Sequence, residues 1–382
     1  MLRSVLDYGA VGDGVRDDYA AIQAALDAGA GELLIPAGIY RISGTLLVGS
    51  DTCIRADKNA KLVMAGGARK KRGDFLLTNR DHTGGNRNIT VIGGIWDGNN
   101  QAAENAKPDI FDQDGHSGAL LNFVGVEGLT LTGLVLANSV TYYLRMAHLR
   151  RFTIEDIDLI SDRFGHNQDG LHFGGDCREG SVRRIRALSW GQTNDDLIAL
   201  NADDCVERVE NLDLPRAGIE DVLVEDIYAE NCHTVIRLLS VTAPIRRIRI
   251  RNVVAGFRCY AVNADAARYC RTPLFREEEY PDGVGVMEDI SIENFLCRAV
   301  TDLPSDFGGT RPYPSTALMI ESSMHNFCIK NFTYTSVGEV PALSARNLTG
   351  SVIRADGEEY RLLHKSDVLT LADCKDIRID RE

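Results

Sequence analysis

The sequence predicts an all-β protein, a right-handed parallel β-helix in which short strands stack coil upon coil. Segments in which β-branched and polar residues alternate recur along the 382-residue chain, with clear copies from residue 88 to residue 379. The copies begin roughly 20–45 residues apart, as in solenoid proteins. The linkers between them are polar and rich in glycine, so they do not supply the amphipathic helices that a parallel α/β sheet needs. Units of this kind must stack to bury their apolar faces.

One helix is expected before the repeats, over residues 17–26. Acidic residues stand in its first turn, Ile22, Ala25 and Leu26 share one face, and Gly29 is the expected stop. An uncovered terminal coil would expose unpaired backbone groups, so this helix is expected to cap the solenoid within about residues 1–45. The whole chain, 1–382, is then a single β-helix domain.

Composition narrows the classes of partner. The net charge of −13 argues against a nucleic-acid partner, which requires basic surface. No apolar run approaches the roughly 20 residues of a membrane span, and the first residues lack the apolar core of a secretory signal. A cytoplasmic location is therefore expected, with removal of a signal left open. The nine cysteines form no CxxC pair, which is typical of reduced, packed thiols.

The residues that carry chemistry are three aspartates on neighbouring repeats. Asp169 follows Asn167 and Gln168, and the pair Asp195 and Asp196 comes one repeat later. Carboxylates on adjacent coils can flank one glycosidic bond, with an acid and a base roughly 6.5–9.5 Å apart. Strand alternation sends consecutive side chains to opposite faces, so the pair reaches one cleft only if a turn or bulge precedes the strand. Turn capping by all three is the alternative interpretation.

The order of these segments matches a known pattern. Residues 7–18 with 35–40 are similar to the N-terminal signature of pectin-active β-helix proteins, and residues 133–139, 167–170 and 194–200 follow in the family's order. The chain therefore resembles glycoside hydrolase family 28, the polygalacturonases and rhamnogalacturonan hydrolases, over roughly residues 5–260. The last third shows only the repeat.

The resemblance implies an inverting hydrolase without a cofactor, acting on a pectin-type or related oligosaccharide. It makes Asp195 the general acid and assigns activation of water to Asp169 and Asp196. His233 matches the family histidine, with Cys and Thr in place of its flanking glycines. The family's Arg-Ile-Lys is reduced to Arg237, which makes a neutral or differently substituted sugar a candidate for the cleaving subsite.

Further side chains are expected to contact the substrate, with structural roles as the alternative for each. They are His233, Arg237, His172, Asn167, Asn194 and Trp190. A different cationic set, Arg247, Arg249 and Arg251, shares one face of a strand and is expected to be a solvated face.

Two other functions stay open at this point. A polysaccharide lyase on the same fold would hold Ca²⁺ with Asp169, Asp195 and Asp196 and use an arginine or lysine as base. A catalytically silent glycan-binding solenoid would bind an oligosaccharide unchanged. The inserts at 101–117, 202–218 and 264–285 could wall off the cleft, which would favour exo action on short chains.

Overall fold

The chain is all-β in a computed structural model. The structure describes residues 2–67, 71, 73–102, 117–203, 214–266, 285–305, 307–309, 314, 316–335, 340–346, 351–355, 357–362, 368–371 and 377–381. Most of the three inserts expected to wall the cleft lie outside these residues.

Strands account for nearly all regular structure in the described residues. In chain order they are β1 Leu2–Ser4, β2 Asp13–Asp17, β3 Gly31–Ile35, β4 Gly38–Ile42, β5 Leu46–Val48, β6 Thr52–Ala56, β7 Ala60–Met64, β8 Leu77–Asn79, β9 Asn86–Ile92, β10 Ile95–Asp97, β11 Leu121–Thr132, β12 Val135–Ala137, β13 Leu144–Ile160, β14 Leu171–Phe173, β15 Cys177–Ala187, β16 Asp196–Asn201, β17 Ile219–Leu239, β18 Ile245–Asp265, β19 Met287–Ala299, β20 Leu318–Ile320, β21 Met324–Thr335, β22 Leu343–Arg346, β23 Ser351–Ala355, β24 Glu358–Leu362, β25 Val368–Leu371 and β26 Ile377–Arg381. The helical segments are α1 Tyr19–Asp27 and two 3-10 turns, Val5–Tyr8 and Asn100–Ala102.

Parallel pairing between coils organises these strands. One series of neighbours runs β3, β6, β9, β11, β13, β15, β17, β18, β19 and β21, and every pair in it is parallel. A second series, β8, β11, β13, β14, β16 and β17, carries the chain past the candidate site. The expected stack of repeats is therefore present as a β-helix-like arrangement of parallel strands.

The core is a set of apolar ladders that run through the stack. One ladder contains, in register from β3 to β21, Leu33, Ile54, Val91, Leu131, Ile154, Val182, Val224, Ile250, Ile292 and Ile329. All of these side chains are buried. Because each strand alternates between inside and outside, each coil adds one β-branched or leucine side chain to this ladder.

Helix α1 begins two residues later than the sequence analysis expected, at Tyr19. Its buried residues are Ile22, Ala25 and Leu26, as predicted. The prediction of acidic residues in the first turn was wrong. The first turn contains none, because Asp18 precedes it. The buried Asp18 carboxylate instead accepts hydrogen bonds from the backbone amides of residues 11 and 12, at 2.7 and 3.0 Å, and so fixes the chain entering the helix.

The last predicted repeat, at 376–379, pairs differently from the others. Its strand, β26, is antiparallel to both β21 and β23, and β23 forms an antiparallel hairpin with β24. The C-terminal strands therefore do not continue the parallel stack that the sequence repeat predicted. An antiparallel strand laid on the last coil pairs backbone groups that would otherwise form an open edge.

No helix among the described residues is both long and apolar enough to cross a membrane. The cysteines that the structure describes, Cys53, Cys177, Cys232, Cys259, Cys297 and Cys328, are all free thiols.

Candidate active site

The predicted aspartates and His233 come together where three successive coils meet. Asp169 lies two residues before β14, Asp196 begins β16 and His233 lies within β17. The Gly170 amide donates to the Asp196 carbonyl oxygen at 2.8 Å, and Asp196 is in register with Thr234 of β17. Side chains from separate repeats of the sequence therefore lie on adjacent coils.

Two irregularities of the strands accompany the approach of the aspartate pair and His233. The chain bends at Asp195 before the strand begins at Asp196, which is the turn that the sequence analysis required. The register of β17 on β18 shifts around Cys232 and Thr234, so His233 occupies an irregular position. One oxygen of Asp195, one oxygen of Asp196 and one ring nitrogen of His233 consequently lie within 4.8 Å of one another. His233 Nδ1 is 3.4 Å from Asp195 Oδ1.

Asp169 is held by a buried histidine. Asp169 Oδ2 lies 2.6 Å from His172 Nδ1, and the His172 ring stacks on Tyr142 with centroids 4.1 Å apart. Both side chains are buried, and His172 contacts Asp169 directly, so the expected contact of His172 with a substrate stays a prediction.

Arg237 forms ion pairs, which is the structural role that the sequence left open, and its contact with a substrate stays a prediction. Its Nη2 forms an ion pair with Asp265 Oδ2 at 2.9 Å, and its Nη1 lies 3.7 Å from Asp196 Oδ2. The guanidinium therefore lies between two carboxylates at the edge of the site. Asp265 was not among the predicted residues, and its position 28 residues after Arg237 gave no local signal.

The surroundings push the pKa values of the three aspartates apart. Burial, followed by the charge of Asp195, raises the pKa of Asp169 well above its usual range. Burial and then Asp195 also raise the pKa of Asp196 to about 6, although Arg237 opposes this. Burial acts on Asp195 in the same direction, but nearby cations, His233 foremost, outweigh it and lower the pKa of Asp195. The three carboxyl groups therefore do not ionise together, and Asp195 loses its proton before Asp169 and Asp196.

His233 is the cation that matches this charge. Burial alone would lower the pKa of His233, but its interactions with Asp195 and Cys259 raise it to about 10. His233 is therefore protonated from the pH at which Asp195 ionises up to about pH 10.

The remaining predicted residues surround the cluster. Asn194 is buried; its Nδ2 donates to the Gly165 carbonyl oxygen at 2.9 Å, and its Oδ1 accepts from Arg258 at 2.8 Å. Asn167 is partly exposed and adopts the left-handed conformation, with φ of 52°. Trp190 is 36% exposed and packs edge-on against Phe307, with ring centroids 5.3 Å apart. Contact of these three with a substrate stays a prediction.

Arg258 is a second residue that the sequence analysis missed. It lies in β18, is completely buried, and hydrogen-bonds to the segments that carry Asp195 and His233. A single arginine in a strand shows no sequence pattern that would reveal such contacts.

Asp195, Asp196 and His233 also form a group that could hold a metal ion. This group differs from the Ca²⁺ site of the lyase interpretation, which uses Asp169, Asp195 and Asp196, because it includes a ring nitrogen whereas Ca²⁺ takes six to eight oxygen ligands. The Arg237 guanidinium, 3.7 Å from Asp196, further disfavours a hard cation there.

Comparison with known proteins agrees with this architecture. Residues 2–116 match the family model described as rhamnogalacturonase A/epimerase, pectate lyase-like. Mannuronan C5-epimerase AlgE2 of Azotobacter vinelandii is 51% identical over 67 residues, which are 16% of this chain and 7% of that protein. The chain thus spans less than a tenth of this relative.

Solved structures extend the similarity of fold over most of the chain. The family 28 exopolygalacturonase of Yersinia enterocolitica superposes with a TM-score of 0.61 at 19% identity, covering 90% of this chain and 67% of that chain. The surface protein and adhesin PfbA of Streptococcus pneumoniae gives 0.56 at 14% identity, with coverages of 87% and 85%. The resemblance to pectate lyase-like and family 28 β-helix proteins is therefore confirmed, by the family model over residues 2–116 and by fold over the greater part of the chain.

Proposed function

We propose that this chain is a glycoside hydrolase that cleaves a glycosidic bond in a pectin-type or related oligosaccharide with inversion of configuration. One observation carries the proposal: three carboxylates from adjacent coils share a site with a protonated histidine, and their pKa values are pushed apart. Pairs of titratable groups whose environments separate their pKa values are the usual equipment of acid/base catalysis. The family 28 resemblance and the carbohydrate enzymes named among the similar proteins support a glycan as the substrate.

The geometry suggests how the roles are divided. Asp195 and Asp196 approach within 4.8 Å, which is closer than the roughly 6.5–9.5 Å of an inverting acid/base pair. We therefore assign the acid/base pair to carboxylates on adjacent coils, Asp169 and Asp195, because the charge of Asp195 acts directly on Asp169. Asp195 is ionised and its side chain is 27% exposed, so it can accept a proton from water. Asp169, whose pKa is raised, then donates its proton to the leaving oxygen. The resemblance alone implied the reverse, with Asp195 as the acid.

The first experiment is a product screen. The purified chain is incubated with pectic and hemicellulosic oligosaccharides, and products are identified by mass spectrometry and by proton NMR before mutarotation. Hydrolysis adds one water per bond cleaved, and inversion gives the anomer opposite to that of the substrate. A first-formed product with the configuration of the substrate would contradict single displacement.

The roles of Asp169 and Asp195 are tested with a leaving group that needs no protonation. On the dinitrophenyl glycoside of the sugar found in the screen, Asp169→Asn should keep most of its activity, because no acid is needed. On the natural substrate the same variant should lose roughly 10²–10⁴-fold. Asp195→Asn should be impaired on both substrates. If Asp195→Asn is the variant that retains activity, Asp195 is the acid, as the resemblance implied.

The same screen separates the other functions. A Ca²⁺-dependent lyase would yield an unsaturated product that absorbs in the ultraviolet, and chelation would stop it; we expect no effect of EDTA. An epimerase, the activity named for the N-terminal relatives, would leave the length of the oligosaccharide unchanged. A glycan-binding solenoid would return the substrate intact.

We also propose the handedness, the N-terminal cap and the single-domain organisation of the solenoid. The solenoid is right-handed, its N-terminal end is covered by α1, which packs beside β4 and β5, and residues 1–382 are one domain. The enzyme requires no cofactor, acts on oligosaccharides in the cytoplasm, and does so from the chain end. Cell fractionation tests the location, and the size distribution of early products tests exo action.

A further inference from the structure

Arg258 lies behind the candidate site at the junction of its loops. Its Nη1 donates to the carbonyl oxygens of Gly191, at 3.0 Å, and Asn231, at 2.9 Å. Its Nη2 donates to Asn194 Oδ1 at 2.8 Å. The side chain is 0% exposed, and its guanidinium carbon lies 4.9 Å from the centre of the Phe307 ring. One side chain of β18 therefore contacts two other coils and the segment around Phe307.

These contacts fall next to the residues that carry the chemistry. Asn194 immediately precedes Asp195, and Asn231 is two residues before His233. The two segments are also joined directly, because the His233 amide donates to the Thr193 carbonyl oxygen at 2.8 Å. Movement of either segment would change the 3.4 Å distance between His233 Nδ1 and Asp195 Oδ1.

The network extends to the third aspartate through Asn194. Asn194 Nδ2 donates to the Gly165 carbonyl oxygen at 2.9 Å, and the Gly165 amide donates to Gln168 Oε1 at 3.2 Å. Gln168 immediately precedes Asp169 and donates from Nε2 to the Ser139 carbonyl oxygen at 2.8 Å. Arg258 is thus linked by consecutive hydrogen bonds to each of the three loops.

Burial also determines what Arg258 can do. A guanidinium presents its donors in a rigid planar fork, which holds several acceptors at fixed angles, whereas an ammonium group does not. Burial lowers the pKa of Arg258 to about 10, so it stays charged at neutral pH. The charge of Asp195 acts on Arg258 and opposes this lowering of its pKa, so the Arg258 cation lies near the cluster.

We propose that Arg258 is a positioning residue of the active site, which holds the Asp195 loop and the His233 segment in the geometry that catalysis requires. It acts through these segments rather than by contact with the substrate. The catalytic consequence rests on the proposed glycosidase function, but the effect on the contact between Asp195 and His233 does not.

The test therefore has one readout that is independent of activity. The ring nitrogens of His233 are titrated by NMR in the whole chain, with the His233 signal assigned from its loss in His233→Gln. In the wild type, His233 should titrate well above its ordinary value of about 6.5. In Arg258→Met the contact with Asp195 should loosen, and the titration midpoint should fall by at least ~1 unit, since Asp195 is the first of the two groups that raise the pKa of His233. Arg258→Lys, which keeps the charge without the fork, should give an intermediate value.

Arg145→Met is the matched control. Arg145 is also completely buried, donates to Asn122 Oδ1 at 2.9 Å and lies 6.0 Å from the Phe75 ring centre, and both of these partners belong to earlier coils than Asp195 and His233. It should destabilise the protein while leaving the His233 titration unchanged. A wild-type His233 midpoint in folded Arg258→Met, or an equal shift in Arg145→Met, would overturn the proposal. If Arg258→Met does not fold, the His233 titration midpoint of Arg258→Lys provides the test, and an unshifted midpoint in that variant would overturn the proposal.

Kinetics supply the second readout. Arg258→Lys should lower kcat about 10²-fold with little change in KM, because a displacement of catalytic groups by about 1 Å has that order of effect. A rise in KM with kcat unchanged would show that Arg258 binds substrate and would contradict the positioning role. A shift of the His233 midpoint in a protein inactive on every glycan would refute the glycosidase function while sustaining the structural inference.

Discussion

His233 fixes the charge of Asp195, and through it the charge state of the whole cluster. Asp195 is ionised because the cations around it outweigh its burial, and that negative charge in turn raises the pKa values of Asp169 and Asp196. A single histidine therefore influences both the base and the acid of the proposed mechanism. Its effect should be visible as a change in pH dependence.

We predict that His233→Gln moves the acidic limb of the kcat/KM profile to higher pH. The base must be ionised, so activity is lost as pH falls through the pKa of Asp195. Removal of the neighbouring cation raises that pKa, and the loss then begins at a higher pH. Rates measured from pH 3 to 8 on the identified substrate check this. The exposed His325, on the outer surface of β21, provides the control, because His325→Gln should leave the limb in place. An unmoved limb in His233→Gln would remove His233 from the control of Asp195.

Residues of the site differ in how far the sequence could predict them. Asp169, Asp195 and Asp196 were predicted from their order along the repeats, because neighbouring repeats become neighbouring coils, and His233 was predicted from the family resemblance. Asp265 and Arg258 were not, since their importance lies in hydrogen bonds and ion pairs between coils, which leave no periodic signal in the chain.

At the scale of the element, each coil turns at a residue in the left-handed conformation. One such column contains Asp156, Arg184, Asp226, Asn252, Asn294 and Asn331, with φ between 52° and 59°. Its asparagines form a ladder: Asn294 Nδ2 donates to Asn252 Oδ1 at 3.1 Å, and Asn331 Nδ2 donates to Asn294 Oδ1 at 2.9 Å. Asparagine tolerates this conformation better than other side chains and also bonds to the same position one coil away.

We predict that Asn294→Ala lowers the free energy of unfolding by about 1–2 kcal/mol, because alanine is strained in the left-handed region and both ladder bonds are lost. Asn294→Gly loses the same bonds without the strain and should cost less. Urea unfolding followed by circular dichroism measures both variants. A larger cost for glycine than for alanine would show that backbone conformation is not what selects asparagine here.

The strands themselves were largely predictable, since alternation marks each coil whose inner face is buried. Their pairing at the C-terminus was not. The segment at 376–379 has the same alternating pattern as the parallel coils, yet β26 runs antiparallel to β21. Alternation of apolar and polar residues indicates which side chains face inward. The same pattern occurs in strands that pair parallel and in strands that pair antiparallel.

At the scale of the whole molecule, the outer face of the coils carries alternating charges. One column of charged residues reads Glu155, Arg183, Glu225, Arg251, Glu293 and Lys330 in register from β13 to β21, and Glu225 within it is buried by its neighbours. Arg183 Nε and Arg251 Nη2 lie 2.9 and 2.5 Å from Glu225 oxygens. Arg247, Arg249 and Arg251 are exposed, as expected for a solvated face, and two of them pair with acids of the preceding coil. This arrangement favours correct register, because a shift of one coil would place like charges together.

The apolar core gives the last prediction, that the chain unfolds as one cooperative unit. A single continuous cluster of buried side chains extends from Val5 to Ile377, so separate melting of either end would expose an apolar face of the remainder.

The two tryptophans of the chain can test this prediction because they lie in different places. Trp96 is fully buried between early coils, and Trp190 is 36% exposed beside the candidate site. In Trp190→Phe, fluorescence comes from Trp96 alone, whereas circular dichroism reports all strands. In Trp190→Phe, the urea transitions followed by Trp96 fluorescence and by circular dichroism should coincide in midpoint and slope. In Trp96→Phe, the transitions followed by Trp190 fluorescence and by circular dichroism should coincide in the same way. Two separated midpoints would show that residues 1–382 contain more than one folding unit, and would contradict the single-domain prediction.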